Sequence, residues 1–241
     1  MARAIRAVQS GPDGAGGTAE PALERPAEAD PSGQTREDDP MPRASVEERT
    51  EGVLDRAEIF YLVRFESLCR DIGDWDGLVD SYVPGSPVRT TWFDGAIEDF
   101  APALKAKTAA GGVARHRVFP AKLHQRGGRA ICESPANISE RLTLKGVELD
   151  VMAHVRFHSR LVLTDVGWRL SSFDSIYERD GVRPVDPADA VPLDRDVVNA
   201  MRPSYRFLGF CDASRDYDVS QDLLGDDRPD MLEAFYAAER N

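Results

Sequence analysis

Long apolar runs are missing from this 241-residue chain. No stretch approaches the roughly 18 continuous apolar residues of a membrane span, so no membrane partner is expected. Positive charge is in deficit: 42 Asp and Glu against 30 Lys and Arg leave a formal net charge of -12. A surface that neutralises phosphates needs clustered Lys and Arg, which sets nucleic acid aside as a partner. Cysteine is scarce, with Cys69, Cys132 and Cys211 widely spaced and odd in number. The opening MARAIRAVQSGPDGAGG has no apolar core of a secretory signal. Reduced thiols and a cytoplasmic location are therefore the expectation. There is no G-x-G-x-x-G, P-loop, G-x-S-x-G, C-x-x-C or H-E-x-x-H, and no cofactor is expected.

Aromatic residues are absent from residues 1–44, where Gly, Pro, Ala and acidic residues dominate. Such a segment buries too little apolar surface to offset its ordering entropy, and is expected to be a disordered tail. Order is expected from Ser45, where SVEE has capping-box spacing with Glu48. Val53, Leu54, Ala57, Phe60, Tyr61, Arg64, Phe65 and Leu68 then recur at helical spacing, predicting an amphipathic helix that ends near Asp71. Gly73 breaks it, and DWDGLVDSYV predicts a second short helix with Asp74 as its cap.

VRTTWF, residues 88–93, reads as a short strand, and a helix is expected over residues 96–109. Four long strands follow, over 115–125, 130–144, 148–165 and 168–178, separated by Gly-containing turn signals. Helices first and then an antiparallel meander is an α+β pattern, with the helices covering one face of a curved sheet. After residue 182 the chain turns irregular and offers helical stretches near 197–208 and 228–238. This C-terminal piece, 183–241, holds enough Phe, Tyr and Leu to pack on the main domain, 45–182, or on a neighbouring subunit.

His154 and His158 invite a metal reading. The segment alternates like a strand, however, with His154, Arg156, His158 and Arg160 on one face. Residues four apart along a strand lie roughly 13 Å apart, too far for one ion, so no metal is expected. That basic row is expected to be solvated, at an interface, or paired with an anionic partner.

The order of elements, with Asp71-Ile72-Gly73-Asp74-Trp75 closing the first helix, Arg115-His116-Arg117-Val118-Phe119 opening a strand and Gly167-Trp168-Arg169-Leu170 opening another, resembles the SnoaL-like branch of the nuclear transport factor 2-like superfamily. The resemblance covers about residues 50–180 and implies a cone-shaped, strongly curved antiparallel sheet. In the dehydratases of that branch, scytalone dehydratase and the bile-acid dehydratases, an Asp and a His share the cone as an acid/base pair. The resemblance thereby nominates Asp71 and His116. A carboxylate bonded to an imidazole fixes its tautomer, and a His can take and return a proton near neutral pH.

Where the bile-acid enzymes carry a Tyr this chain has Glu66, and where scytalone dehydratase has a second His it offers Asn137 and Ser139. Glu66 is expected to share the cavity rim with Asp71, and like-charge proximity there would raise one of their pKa values. Trp92 and Phe93 are candidates for an aromatic lining, with core packing the bland reading, and Asp174 matches a region where relatives place polar cavity residues. The resemblance implies a cofactor-independent lyase acting on a hydroxylated aromatic or polycyclic small molecule, working as a dimer or trimer. A cyclase or isomerase on the same scaffold, or a non-catalytic binding or assembly module, stays open.

Overall fold

The computed structural model describes residues 45–239, apart from the side chains of residues 47–49 and 51. The tail expected over 1–44, and the Glu48 side chain expected to complete a capping box, lie outside the described residues. The chain forms α1 (Val46–Ile72), α2 (Trp75–Asp80), β1 (Pro87–Arg89), β2 (Asp94–Ala96), α3 (Ile97–Ala109), β3 (Val113–Val118), β4 (Lys122–Arg126), β5 (Arg129–Leu144), β6 (Val147–Thr164) and β7 (Gly167–Pro184). It continues with α4 (Arg195–Ala200), α5 (Arg206–Ala213), β8 (Leu224–Gly225) and α6 (Pro229–Glu239). The class is α+β: helices against a curved, unclosed sheet.

The face of α1 that packs is not the one its apolar spacing picks out. Ile59, Leu62, Val63, Glu66, Cys69 and Arg70 are buried, whereas Val53, Leu54, Tyr61 and Leu68 are each at least 51% exposed. The buried stripe was hidden because two of its members are charged. Glu66 and Arg70 stand one turn apart, with Arg70 Nε donating to Glu66 Oε1 at 2.6 Å and the Tyr82 hydroxyl donating to the same oxygen at 2.7 Å. At 1% and 8% exposure the two charges neutralise each other inside the fold.

The sheet runs β2-β1-β7-β6-β5-β3, with β4 also on β5 and β8 also on β7. The long strands are antiparallel, as the meander predicts, but the sheet is mixed. β1 and β8 join β7 in parallel, at Val88↔Phe173 and Ile176↔Leu224, and Tyr82 bridges Leu170 on the same edge. The expected strand over 88–93 is shorter than its β-branched residues suggest. It leaves the sheet after Arg89 and returns as β2, placing Trp92 and Phe93 in the turn. The expected strand over 115–125 is two, because Pro120, with no N–H to donate, falls between β3 and β4. Likewise Pro203 splits the expected 197–208 helix into α4, a 3-10 turn and α5. Register shifts at His154/Val155 and Arg160/Leu161 bend β6 and β7 toward the cone shape.

On the inner face Val151, Ala153, Val155 and Phe157 of β6 face Leu170, Phe173 and Tyr177 of β7, all buried. The outer face carries the basic row. Its arginines meet this chain's own carboxylates: Arg156 binds Glu133, Glu178 and Asp226, and Arg160 binds Asp174 and Glu239. His158 is 1% exposed beneath α6, its ring 4.8 Å from Phe235. Of the three settings expected for this row, pairing with anionic groups is the one found at Arg156 and Arg160, and those groups belong to this chain.

α5 is fastened from the sheet. It has no side-chain cap of its own, and Asp180 of β7 accepts from Phe207 N and Leu208 N, both at 2.7 Å. Burial lifts the Asp180 carboxyl to about 6 against the downward pull of those N–H groups.

Two measurements check these packing arguments. Arg70→Met leaves Glu66 buried without its counter-charge and is expected to lower the unfolding free energy in urea by about 3–5 kcal/mol, with Glu66→Met added to it restoring most of the loss. For Asp180, a folded-state pKa of about 6 lies above the unfolded value, so its protonated form favours the native state. Wild type should therefore lose stability relative to Asp180→Asn as pH rises from about 4 through about 6, and a parallel pH dependence in the two proteins would contradict the assignment.

Candidate active site

Asp71 sits in the last turn of α1, where a negative charge opposes the helix dipole. What holds it there is β3. The backbone N–H of His116 donates to Asp71 Oδ2 at 2.9 Å and Oδ1 at 3.1 Å, and Arg117 Nη1 lies 3.7 Å from Oδ2. Gly73, at φ +78°, turns the chain just beyond, and the Trp75 ring folds back so closely that a Cβ at Gly73 would lie 3.2 Å from it. Asp74 caps α2 through Gly77 N at 3.0 Å. The α1–α2 corner thus leaves Asp71 as the carboxylate that reaches the sheet.

His116 Nδ1 lies 2.7 Å from Asp71 Oδ1, with the two side chains 11% and 6% exposed. A carboxylate at that distance accepts the Nδ1 proton, which assigns the proton to Nδ1 and leaves Nε2 as the other ring nitrogen. The imidazole is 5.9 Å from the Phe157 ring and lines a cavity of about 60 Å³ walled by Phe100, Phe157, Trp92, Tyr177 and Leu208. That is room for a few waters, well below the roughly 300–1,000 Å³ of a typical ligand pocket.

Two charged clusters border the cavity. Arg70 lies between the Phe100 and Phe173 rings, its guanidinium carbon 4.9 and 4.1 Å from their centroids. Burial alone would lower its pKa, but Glu66 and Tyr82 hold it above its ordinary value, so it stays charged. Across the cavity Lys107 Nζ lies 2.5 Å from Asp212 Oδ1, between the rings of Trp92 and Tyr217 at 4.6 and 4.4 Å. Asp212 also accepts from Thr91 at 2.9 Å and Arg215 at 3.0 Å, and Arg215 pairs with Glu140. This network of two cations and two anions ties α5 to α3 and closes the cavity from the C-terminal side.

The structure places His116 and Trp92 on the cavity wall, sets Asp71 behind His116 as its partner, and moves three other candidates away. Glu66 does not meet Asp71; it lies behind Arg70, which takes the lining position instead. Asn137 is on the outer face, because Ala136 and Ile138 take the inner positions of β5, and it pairs in register with Arg117 and His154. Asp174 is on the outer face of β7 beside Arg160, its pKa raised by burial. Arg70, Lys107, Asp212 and Glu140 were not singled out from the sequence. Asp212, at the end of the apolar run FLGFC, was the one with a readable signal. The three thiols are unpaired and buried. Burial pushes Cys69 and Cys211 up to about 12, which makes them protonated packing groups. Among the described residues no three His, Cys, Asp or Glu side chains converge as a metal-ligand set, and no helix is long and apolar enough to cross a membrane.

Comparison with known proteins agrees with this architecture. The model of the SnoaL-like domain matches residues 51–174, over half of the chain. Pea pathogenicity protein 2 of Fusarium vanettenii is 30% identical over 160 residues, covering 65% of this chain and 69% of that protein. An uncharacterized protein of Emericella nidulans is 28% identical over 183 residues, covering 72% of this chain and 76% of its own length. Among solved structures, the LinA-type3 hexachlorocyclohexane dehydrochlorinase of Novosphingobium barchaimii superposes with a TM-score of 0.50 at 12% identity, covering 60% of this chain and 99% of that one. A match over more than half of its length places this chain in the SnoaL-like domain family.

Proposed function

We propose that the protein is a cofactor-independent lyase that eliminates water, or makes a related carbon–carbon cleavage, on a hydroxylated aromatic or polycyclic small molecule. The observation that carries this reading is the 2.7 Å contact between His116 Nδ1 and Asp71 on the wall of an aromatic cavity. In the dehydration, His116 Nε2 removes a proton from the carbon next to the C–O bond. The C–H electron pair becomes the new double bond, the C–O bond breaks, and the imidazolium returns the proton to the leaving hydroxide as water. Asp71 stabilises the imidazolium while it exists. Arg70, charged and held between two rings, is suited to stabilise negative charge that develops on a substrate oxygen. The protein would work in the cytoplasm, as a dimer or trimer.

The small volume of the cavity favours one competing reading, a binding or assembly module that never admits a substrate. For catalysis, Leu208 and Asp212 on α5 must withdraw to make room, and Lys107 and Thr91 would then be exposed to the ligand. A panel of hydroxylated aromatic and polycyclic compounds, followed by absorbance of the conjugated product, separates the readings. His116→Ala and Asp71→Asn should each lower kcat by about 10²–10⁴ while ligand affinity changes little. Turnover that survives His116→Ala within a few-fold would sink the assignment, and absence of both binding and turnover across the panel would favour the module.

A further inference from the structure

A second and larger concavity, about 820 Å³, opens on the opposite face of the sheet from His116. Its construction follows from strand register. One cross-strand row is Arg115, Ser139, Met152, Gly181, and it forms the floor, since Ser139 is small and Gly181 has no side chain. A Cβ at Gly181 would meet nothing within 4 Å, so the space above it is open. The flanking rows supply the walls: Val113, Arg141, Asp150, Arg183 on one side, and His154 with Arg179 on the other. Four strands at about 4.8 Å spacing set the β3 and β7 side chains roughly 14 Å apart.

Five basic groups therefore ring one hollow: Arg115, Arg141, His154, Arg179 and Arg183. The carboxylates nearby are largely committed. Asp150 accepts from Arg141 at 2.7 and 3.0 Å and from Arg183 at 3.5 Å, and these bonds hold its pKa below the usual range. Glu140 pairs with Arg215 on the inner side and Asp180 caps α5, while Glu148 stands near Arg141. Arg115, Arg179 and His154 have no carboxylate partner among the described residues. The Arg115 guanidinium bonds only the neighbouring Ala114 carbonyl, at 2.9 Å.

On a chain of net charge -12, this concentration of cations is a local reversal of sign. Guanidinium forks bind phosphate and carboxylate groups bidentately, and a concave basic site raises the local concentration of anions. The volume falls within the range of small-molecule sites. We propose that this hollow is a binding site for a small, free polyanion bearing two or more phosphate or carboxylate groups, with Met152, 41% exposed, offering an apolar surface beneath it. The patch is about 14 Å across, and the acidic remainder would repel a nucleic-acid strand or an anionic bilayer extending beyond it. A second copy docked face to face about a two-fold axis would set the same arginines against one another.

The test is calorimetric titration of the full chain with sodium tripolyphosphate at low and moderate salt. Arg115→Ala and Arg179→Ala should each weaken binding tenfold or more, with Arg195→Ala as the control that leaves it unchanged. Gly181→Val fills the floor without altering charge; it should weaken binding similarly while the circular dichroism spectrum stays native. Absence of binding at millimolar tripolyphosphate would overturn the proposal, as would equal losses in the Arg195 control. Two further outcomes would also overturn it: retention on phosphatidylserine vesicles with no tripolyphosphate binding, or Arg179→Glu turning a dimer into a monomer with no tripolyphosphate binding.

Discussion

The Asp71 carboxylate joins the end of α1 to the middle of β3, and the interior of the cone is arranged around that joint. A carboxylate in the last turn of α1 is unfavourable by itself, because it faces the negative end of the helix dipole. The His116 backbone N–H and ring relieve it together, so the same contact that fixes β3 against α1 also fixes the orientation of the imidazole. The fold and the proposed chemistry share these bonds. A histidine whose ring is held through Nδ1 by a group already anchored through its own backbone has little freedom left, which is the preorganisation that acid/base work needs.

Around that joint, the protein places charge where an apolar cone would suffice for stability. Glu66, Arg70 and Tyr82 form one buried polar group, and Lys107, Asp212, Arg215 and Glu140 form another. Each ion is matched by a counter-ion, and each cation also lies on aromatic faces. Buried pairs of this kind are weak devices for stability. They stand on two sides of one small cavity, where they give its wall fixed charges of both signs. The outer face follows a different rule: its central arginines are satisfied by carboxylates of β5, β7 and the C-terminal segment, while those toward the other end of β5 and β6 surround an open hollow.

The α+β class was legible because its signals are local. The turns at Gly127, Lys145-Gly146 and Gly167 all adopt positive φ, and the residues chosen there announce hairpins. The buried stripe of α1 was not legible, since Glu66 and Arg70 read as solvent-facing until each is seen to hold the other. The Asp71–His116 pairing came from the likeness to a family; nothing in 45 residues of separation reveals a contact. Lys107 and Asp212 are 105 residues apart and equally silent. Asn137 is a different kind of miss: counting alternate positions from Ala136 and Ile138 already assigns it to the outer face, and the same count along β7 from Phe173 and Ser175 displaces Asp174.

β7 has one further consequence, for the order of assembly. Its free edge is covered piece by piece by Tyr82, β1 and β8, and the first two belong to the N-terminal half of the domain. The chain must therefore be synthesised to about residue 174 before the segment carrying β1 has a strand to join. Until then α1, α2 and α3 have no completed surface to rest on, and the closure of so long a loop is slow. A nascent chain ending between β6 and β7 would expose the apolar inner face of the β5–β6 hairpin, surface that is buried in the finished fold.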